Sequence, residues 1–365
     1  MFTVSKQYIN HRCGLHLREY QKQDPNNPER LGIIDGNGKF TSCHKHDHIT
    51  KEKYNEVVPK IVDEFIEFGF LETEKFFEKK IDVSKEYEDL KKDNIDPDKI
   101  TAQKTSKSNT IIRKYMPHIY EVEDCKGSNL LKLWTRENLI KAFKSLDKPN
   151  RTVNSNFSEI KRAIKFNPVT IYSPIMTKSI VKELDCKTVF DPCIGWGGRM
   201  IGTTCLGEEY HYTGCEPFTK TYVGLERIMK DLFLEKQVKL YNSPVENILD
   251  ELNDKKFDMC LTSPPYFDLE VYSHEDTQSI KNKTYDEWIN NFIKPIIEFV
   301  CGHVDKYSCW SVKNIKTDKK YNLLDDVIRI HNENGWKLDR QFSIKKNTKK
   351  NKTTDGDVTY VFIKE

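Results

Sequence analysis

"VFDPCIGWGGRMIG", residues 189–202, decides how this chain is read. Val189 and Phe190 favour a strand, Asp191-Pro192 stops it, and Gly195, Gly197 and Gly198 make a turn into an apolar helix. Glycine there permits positive φ and lets a ligand approach the backbone closely. About 25 residues later "HYTGCEP" ends a second strand with Glu216. An acid at roughly 20 residues or more after the first glycine turn binds ribose hydroxyls in nucleotide-binding α/β folds. No Gly-Lys-Ser/Thr follows the glycines, which argues against a Walker-type phosphate loop.

Elements alternate on both sides of this turn. "SPIMTKSIVKEL" (173–184) reads as a helix with Pro174 in its first turn. After Glu216 come a helix at 219–234, a strand at 238–242, a helix at 244–252 and a strand at 257–262. Trp288, Phe292 and Ile296, spaced four apart, mark another helix, and "KYSCWSV" (306–312) alternates as a strand. A helix at 322–334 precedes strands at 336–344 and 357–363, which have no helix between them and must pair antiparallel. The expected fold is α/β: a Rossmann-like, mostly parallel sheet covered on both faces, with an antiparallel closing pair.

The chain has 365 residues, which favours two domains, here 1–150 and 151–365. The first is polar and lysine-rich. A helix is expected over 51–80 from Val57, Ile61, Phe65 and Phe68, and another over 136–146 behind Thr135 as cap, with a charged linker or mobile loop across 85–110 between them. Lys and Arg number 59 against 56 acids, a net charge of +3, so any nucleic-acid contact must come from local basic patches. No apolar run approaches the roughly 20 residues of a membrane span. "MFTVSKQYIN" lacks the apolar core of a secretory leader, and the ten irregularly spaced cysteines read as reduced thiols, so an intracellular location is expected.

A second motif follows the strand at 257–262. "LTSPPYF" (261–267) places Ser263-Pro264-Pro265-Tyr266 where two prolines deny the backbone two donors, making a rigid, donor-poor turn. Asp-Pro-x-x-Gly-x-Gly-Gly, the acid after the second strand, and Thr-Ser-Pro-Pro-Tyr after the fourth together resemble the S-adenosylmethionine-dependent amino-methyltransferases of DNA. The resemblance covers roughly residues 166–365. Serine opening the tetrapeptide, with Thr262 before it, looks most like the cytosine-N4 branch, above adenine-N6.

The resemblance implies roles for particular residues. The Ser263 hydroxyl and the Pro264 carbonyl would accept hydrogen bonds from the exocyclic amine, which Pro265 helps hold rigid, and Tyr266 would stack on a base flipped from the duplex. Asp191, Pro192, Gly195, Gly197, Glu216 and Thr262 would form the cofactor side, with Thr170 and Ser173 near the methionine end. Val245, Ser243 or Glu246 would edge the adenine, or else belong to a plain helix cap. Cys193, beside Pro192, is read as structural and not as the nucleophile of cytosine-C5 enzymes. The polar stretch 267–283 either closes over the base or is disordered.

Partners are read from two further clusters. Lys345, Lys346, Lys349, Lys350 and Lys352 in an expected hairpin loop suit the phosphates of DNA, or else form a solvated charged loop. Cys13-x-x-His16 and Cys43-x-x-His46 match the spacing of one structural zinc; unligated surface residues are the alternative, and the favoured one, with His11, His44 and His48 nearby. Target recognition falls to the first 150 residues, and an associated restriction nuclease is a possible partner. The competing readings are amino-methylation of RNA or protein, and a non-catalytic nucleic-acid-binding protein of this fold.

Overall fold

The computed structural model describes residues 22–24, 27–34, 40–42, 51–69, 81–93, 108–145, 160–161, 163–164, 169–316, 319–347 and 353–365. The chain divides into two compact units that interleave in sequence: residues 1–80 with 128–168, and residues 81–127 with 169–365. No helix among the described residues is long and apolar enough to cross a membrane.

The first unit holds an antiparallel sheet of Lys22–Asp24, Asn27–Ile34 and Phe40–Ser42, and helices Lys51–Phe68 and Arg136–Ser145. The Thr135 hydroxyl accepts from the Asn138 amide as the expected cap, and Arg136 pairs with Asp63 at 2.6 Å. Cys13, His16, Cys43 and His46 lie outside the described residues, so the zinc expectation has no structure to meet.

The second unit is built on seven strands: β1 (Thr188–Asp191), β2 (His211–Cys215), β3 (Val238–Tyr241), β4 (Phe257–Thr262), β5 (Val304–Ser311), β6 (Trp336–Asn347) and β7 (Thr353–Lys364). Their order across the sheet is β6-β7-β5-β4-β1-β2-β3, with β7 antiparallel to both neighbours and the remaining pairs parallel. This is the expected Rossmann-like sheet with its antiparallel closing pair. The strand order reverses between β1 and β4, the switch point where open α/β sheets bind ligands.

Helices α1 (Pro174–Glu183), α2 (Gly198–Thr204), α3 (Thr219–Asp231), α4 (Lys294–His303) and α5 (Leu323–Glu333) flank the strands. One core cluster runs from Phe190 and Cys260 through Trp288, Ile296 and Val300 to Trp310 and Phe362.

Three local expectations are corrected. Residues 83–92 form a helix and not a linker, capped by Asp82 and burying Val83, Tyr87 and Leu90 on one face. The Tyr87 hydroxyl donates to Thr204 of α2, and the buried Lys178 ammonium of α1 donates to the carbonyls of Leu90, Lys91 and Asp93 at the helix end. Residues 244–252 form two 3-10 turns, Val245–Asn247 and Asp250–Leu252, in place of an α-helix. The hairpin between the last strands is longer than expected: Lys345 and Lys346 belong to β6, paired with Asp355 and Thr354, not to its loop. Lys349, Lys350 and Lys352 lie outside the described residues.

Candidate active site

Asp191 ends β1 with no exposed surface. Its carboxylate accepts from Arg199 Nε at 2.6 Å, Tyr212 Oη at 2.5 Å, Thr262 Oγ1 at 2.9 Å and the Cys193 amide at 3.1 Å. The buried Arg199 also donates to the carbonyls of Cys193 and Ile194, which pins the glycine turn. A paired and hydrogen-bonded charge is the form in which a buried carboxylate is tolerated. Asp191 and Thr262 were expected to face a cofactor. Both are fully buried, so they hold the two motif loops together from behind.

The turn itself is open where a ligand needs room. Gly195 has φ +57° and nothing lies within 4 Å of the place its Cβ would take. Gly197 has φ +86°, and a Cβ there would strike Leu225 of α3 at 2.6 Å, so this glycine serves helix packing. Trp196 between them is buried, and its indole N–H has no partner.

Glu216 follows β2. One carboxylate oxygen accepts from the Gly195 amide at 2.9 Å and the other from the Phe218 amide at 2.8 Å. Burial pushes its pKa up to about 8 against the opposing pull of these two bonds. Each oxygen keeps a lone pair, so the group fits a diol that donates two O–H bonds.

The second loop leaves β4 beside the first. The Ser263 hydroxyl donates to the Ser311 carbonyl at 3.2 Å. Its hydrogen is thereby spent, and its lone pairs remain to accept. Among the described residues nothing donates to the Pro264 carbonyl. The Lys313 ammonium lies 5.2 Å from the centroid of the Tyr266 ring. Phe267 closes the turn at φ +28° and packs against Tyr285, Trp288 and Tyr321.

Residues 267–283, expected to be a cover or disordered, are held in place. Glu270–Val271 pairs antiparallel with Glu123–Asp124. Glu275 accepts from the amide and hydroxyl of Thr219, and the Thr277 hydroxyl donates to the Pro217 carbonyl. Tyr272 packs 5.9 Å from Trp196 and donates to Glu270 Oε2 at 2.7 Å. The loop after the prolines is thus fastened to the acid side of the crevice.

His118 also belongs to this wall. Its ring lies 5.4 Å from Trp196 and 5.2 Å from Phe218, and its Nε2 is 2.8 Å from Thr221 Oγ1. Burial lowers its pKa to about 4, so it is a neutral packing group near pH 7.

Other expected residues are placed less directly. The Ser173 hydroxyl accepts from the Met176 amide as the cap of α1, Thr170 is exposed just before it, and Pro192 is buried in the turn. Val245 is buried in the core cluster at the start of its 3-10 turn, Ser243 donates to the Pro244 carbonyl, and Glu246 pairs with Lys281 at 3.1 Å. Burial drives the Cys193 thiol far above its ordinary pKa, which keeps it protonated and unreactive. No group of three or more His, Cys, Asp or Glu suited to a metal occurs among the described residues.

No family model and no curated protein matches the chain. Several solved structures are similar to part of it. TrmN from Thermus thermophilus aligns at 11% identity and TM-score 0.38 over 53% of this chain and 49% of that one, so the match spans about half the length of the Thermus protein. A SAM-dependent methyltransferase from Agrobacterium tumefaciens aligns at 9% identity and TM-score 0.39, over 55% of this chain and 64% of that one. Magnesium protoporphyrin IX methyltransferase from Synechocystis PCC 6803, with bound SAM, aligns at 12% and 0.34 over 52% and 79%.

Proposed function

We propose that this chain transfers a methyl group from S-adenosylmethionine to the exocyclic amino group of a base in DNA, cytosine-N4 in preference to adenine-N6. The observation that carries the reading is the hydrogen bond from Thr262 to Asp191, two residues 71 apart in sequence. It fastens the Ser-Pro-Pro-Tyr loop to the glycine turn at one sheet edge, as a two-substrate transfer requires.

The residues present fit the cofactor. Glu216 offers two oxygens to the ribose hydroxyls, and Gly195 leaves space above the turn. When bound, S-adenosylmethionine supplies an electrophilic methyl group on a sulfonium. The rest falls to the protein. Ser263, with its hydrogen given to Ser311, and the free Pro264 carbonyl accept the two amine N–H bonds and turn the nitrogen lone pair toward the methyl. Tyr266 stacks on the extruded base, which shares the ring with Lys313. Lys345 and Lys346, with Lys349 and Lys350, contribute contacts to backbone phosphates.

The test separates binding from transfer. Ser263→Ala is expected to lower single-turnover methylation of DNA about 10²-fold or more while calorimetry finds S-adenosylmethionine affinity near wild type. Equal loss of both, or loss of neither, contradicts the role of Ser263.

A further inference from the structure

We infer that Glu270 is the base that takes up the proton released when the acceptor amine is methylated. This rests on the amino-methylation reading above. In that reaction the nitrogen lone pair forms the new N–C bond as the S–C bond breaks, and the S–C electron pair stays on sulfur. The nitrogen is left with one proton too many. An N–H bond must then break, its electron pair returning to nitrogen and its proton going to a carboxylate, which becomes a neutral carboxyl.

The two groups that grip the amine cannot keep that proton. Ser263 and the Pro264 carbonyl are neutral oxygens of very low basicity, and the Ser263 hydrogen already points at the Ser311 carbonyl. The carboxylates nearby differ in their engagement. Asp191 is fully buried under its donors, Glu216 is held by two amides at the ribose end, and Glu275 is tied to Thr219.

Glu270 has the right engagement. It lies four residues after Tyr266, on backbone held by the pairing with Glu123–Asp124. Tyr272 donates to Oε2, which leaves Oε1 as the accepting oxygen. Tyr272 in turn packs on Trp196 of the glycine turn, so the carboxylate stands in the wall that joins the two loops.

The charged surroundings suit a proton acceptor. Burial raises the Glu270 pKa, and the Tyr272 hydrogen bond and the Lys313 charge pull it back. Lys313 faces it from the turn after β5, beside Tyr266. On the paired strand, Glu123 lies 3.6 Å from His274, and Asp124 accepts from the Lys126 amide. Tyr272, the donor to Glu270, is itself faced by Glu216 and Tyr266. A base must be ionised to act, so the rate is expected to climb with pH through the Glu270 pKa and level off above it.

Asp268 is the rival, because its Oδ1 is buried without a partner. It lines instead a cavity of about 560 Å³ with Tyr285, Tyr321 and Lys319. The experiment compares Glu270→Gln, Glu270→Asp and Asp268→Asn with wild type in single-turnover methylation of a DNA on which wild type acts, at S-adenosylmethionine concentrations that saturate each protein at every pH from 5 to 9. The amide oxygen of Glu270→Gln still accepts from Tyr272, so its melting temperature and S-adenosylmethionine affinity by calorimetry are expected near wild type.

Its rate is expected to fall about 10²-fold or more and to lose the acidic limb of the pH profile, with partial recovery in Glu270→Asp. A Glu270→Gln rate within about threefold of wild type, or an acidic limb that disappears in Asp268→Asn instead, overturns the assignment. Binding of S-adenosylmethionine by a wild type that methylates no nucleic acid overturns the amino-methylation reading itself, and the base with it.

Discussion

Glu216, the proposed ribose anchor, couples its own protonation to folding. In the unfolded chain its pKa is the ordinary 4.5, and in the fold burial raises it to about 8. The folded state therefore binds this proton more tightly, and the group's contribution to stability is full below about pH 4.5 and lost as pH rises through about 8. A ribose diol donating two hydrogen bonds favours the ionised form and works in the opposite sense. Affinity for S-adenosylmethionine is expected to strengthen from pH 6 to 8 and level off above, as measured by calorimetry. Glu216→Ala is expected to weaken binding on the order of 10- to 100-fold, the worth of hydrogen bonds to a charged group. An affinity indifferent to both the substitution and pH would remove Glu216 from the site. His118, Tyr272 and Glu270 could not be picked out at this scale from sequence. They lie in "PHIYEVED" and "DLEVYSHED", stretches without periodicity, and are placed by tertiary contacts: the pairing of 123–124 with 270–271, and the contact of His118 with Thr221.

At the scale of elements, β1 to β5 were legible because each carries a short run of apolar, β-branched or aromatic residues between turn signals, whereas the 12-residue β6 and β7 extend into charged sequence that hides their ends. The glycine turn, Glu216 and the Pro-Pro turn were legible for the same reason: each ends such a run. The helix Val83–Lys92 was not, since charges on its open faces hide the stripe of Val83, Tyr87 and Leu90. Residues 244–252 carry a helical pattern, yet Val245 and Ile248 are buried three apart, a spacing that a 3-10 turn serves equally well. A π-helical segment, Ile289–Ile293, leads into α4, where Pro295 cannot donate to the carbonyl four residues back. The concealed helix can be tested. Leu90 is fully buried, so Leu90→Ala is expected to cost about 2–5 kcal/mol in denaturant unfolding. A change below about 0.5 kcal/mol, the range of surface substitutions, would mean that this helix does not pack as described.

Over the whole molecule, a net charge of +3 gives little long-range pull toward a polyanion, so any nucleic-acid contact rests on local basic patches. Two loops distant in sequence share that crevice, tied by Thr262 to Asp191 below and by the fastened segment 268–283 above. On the proposed reading, these loops would hold an acceptor nitrogen in line with a donor group and face it with the oxygens of Ser263 and Pro264. The most direct measurement is incubation of the protein with DNA and S-adenosylmethionine carrying a deuterated methyl group, followed by mass spectrometry of the digested nucleosides. The account predicts the label on the exocyclic nitrogen of cytosine; labelled 5-methylcytosine, or DNA with no label at all, would contradict it.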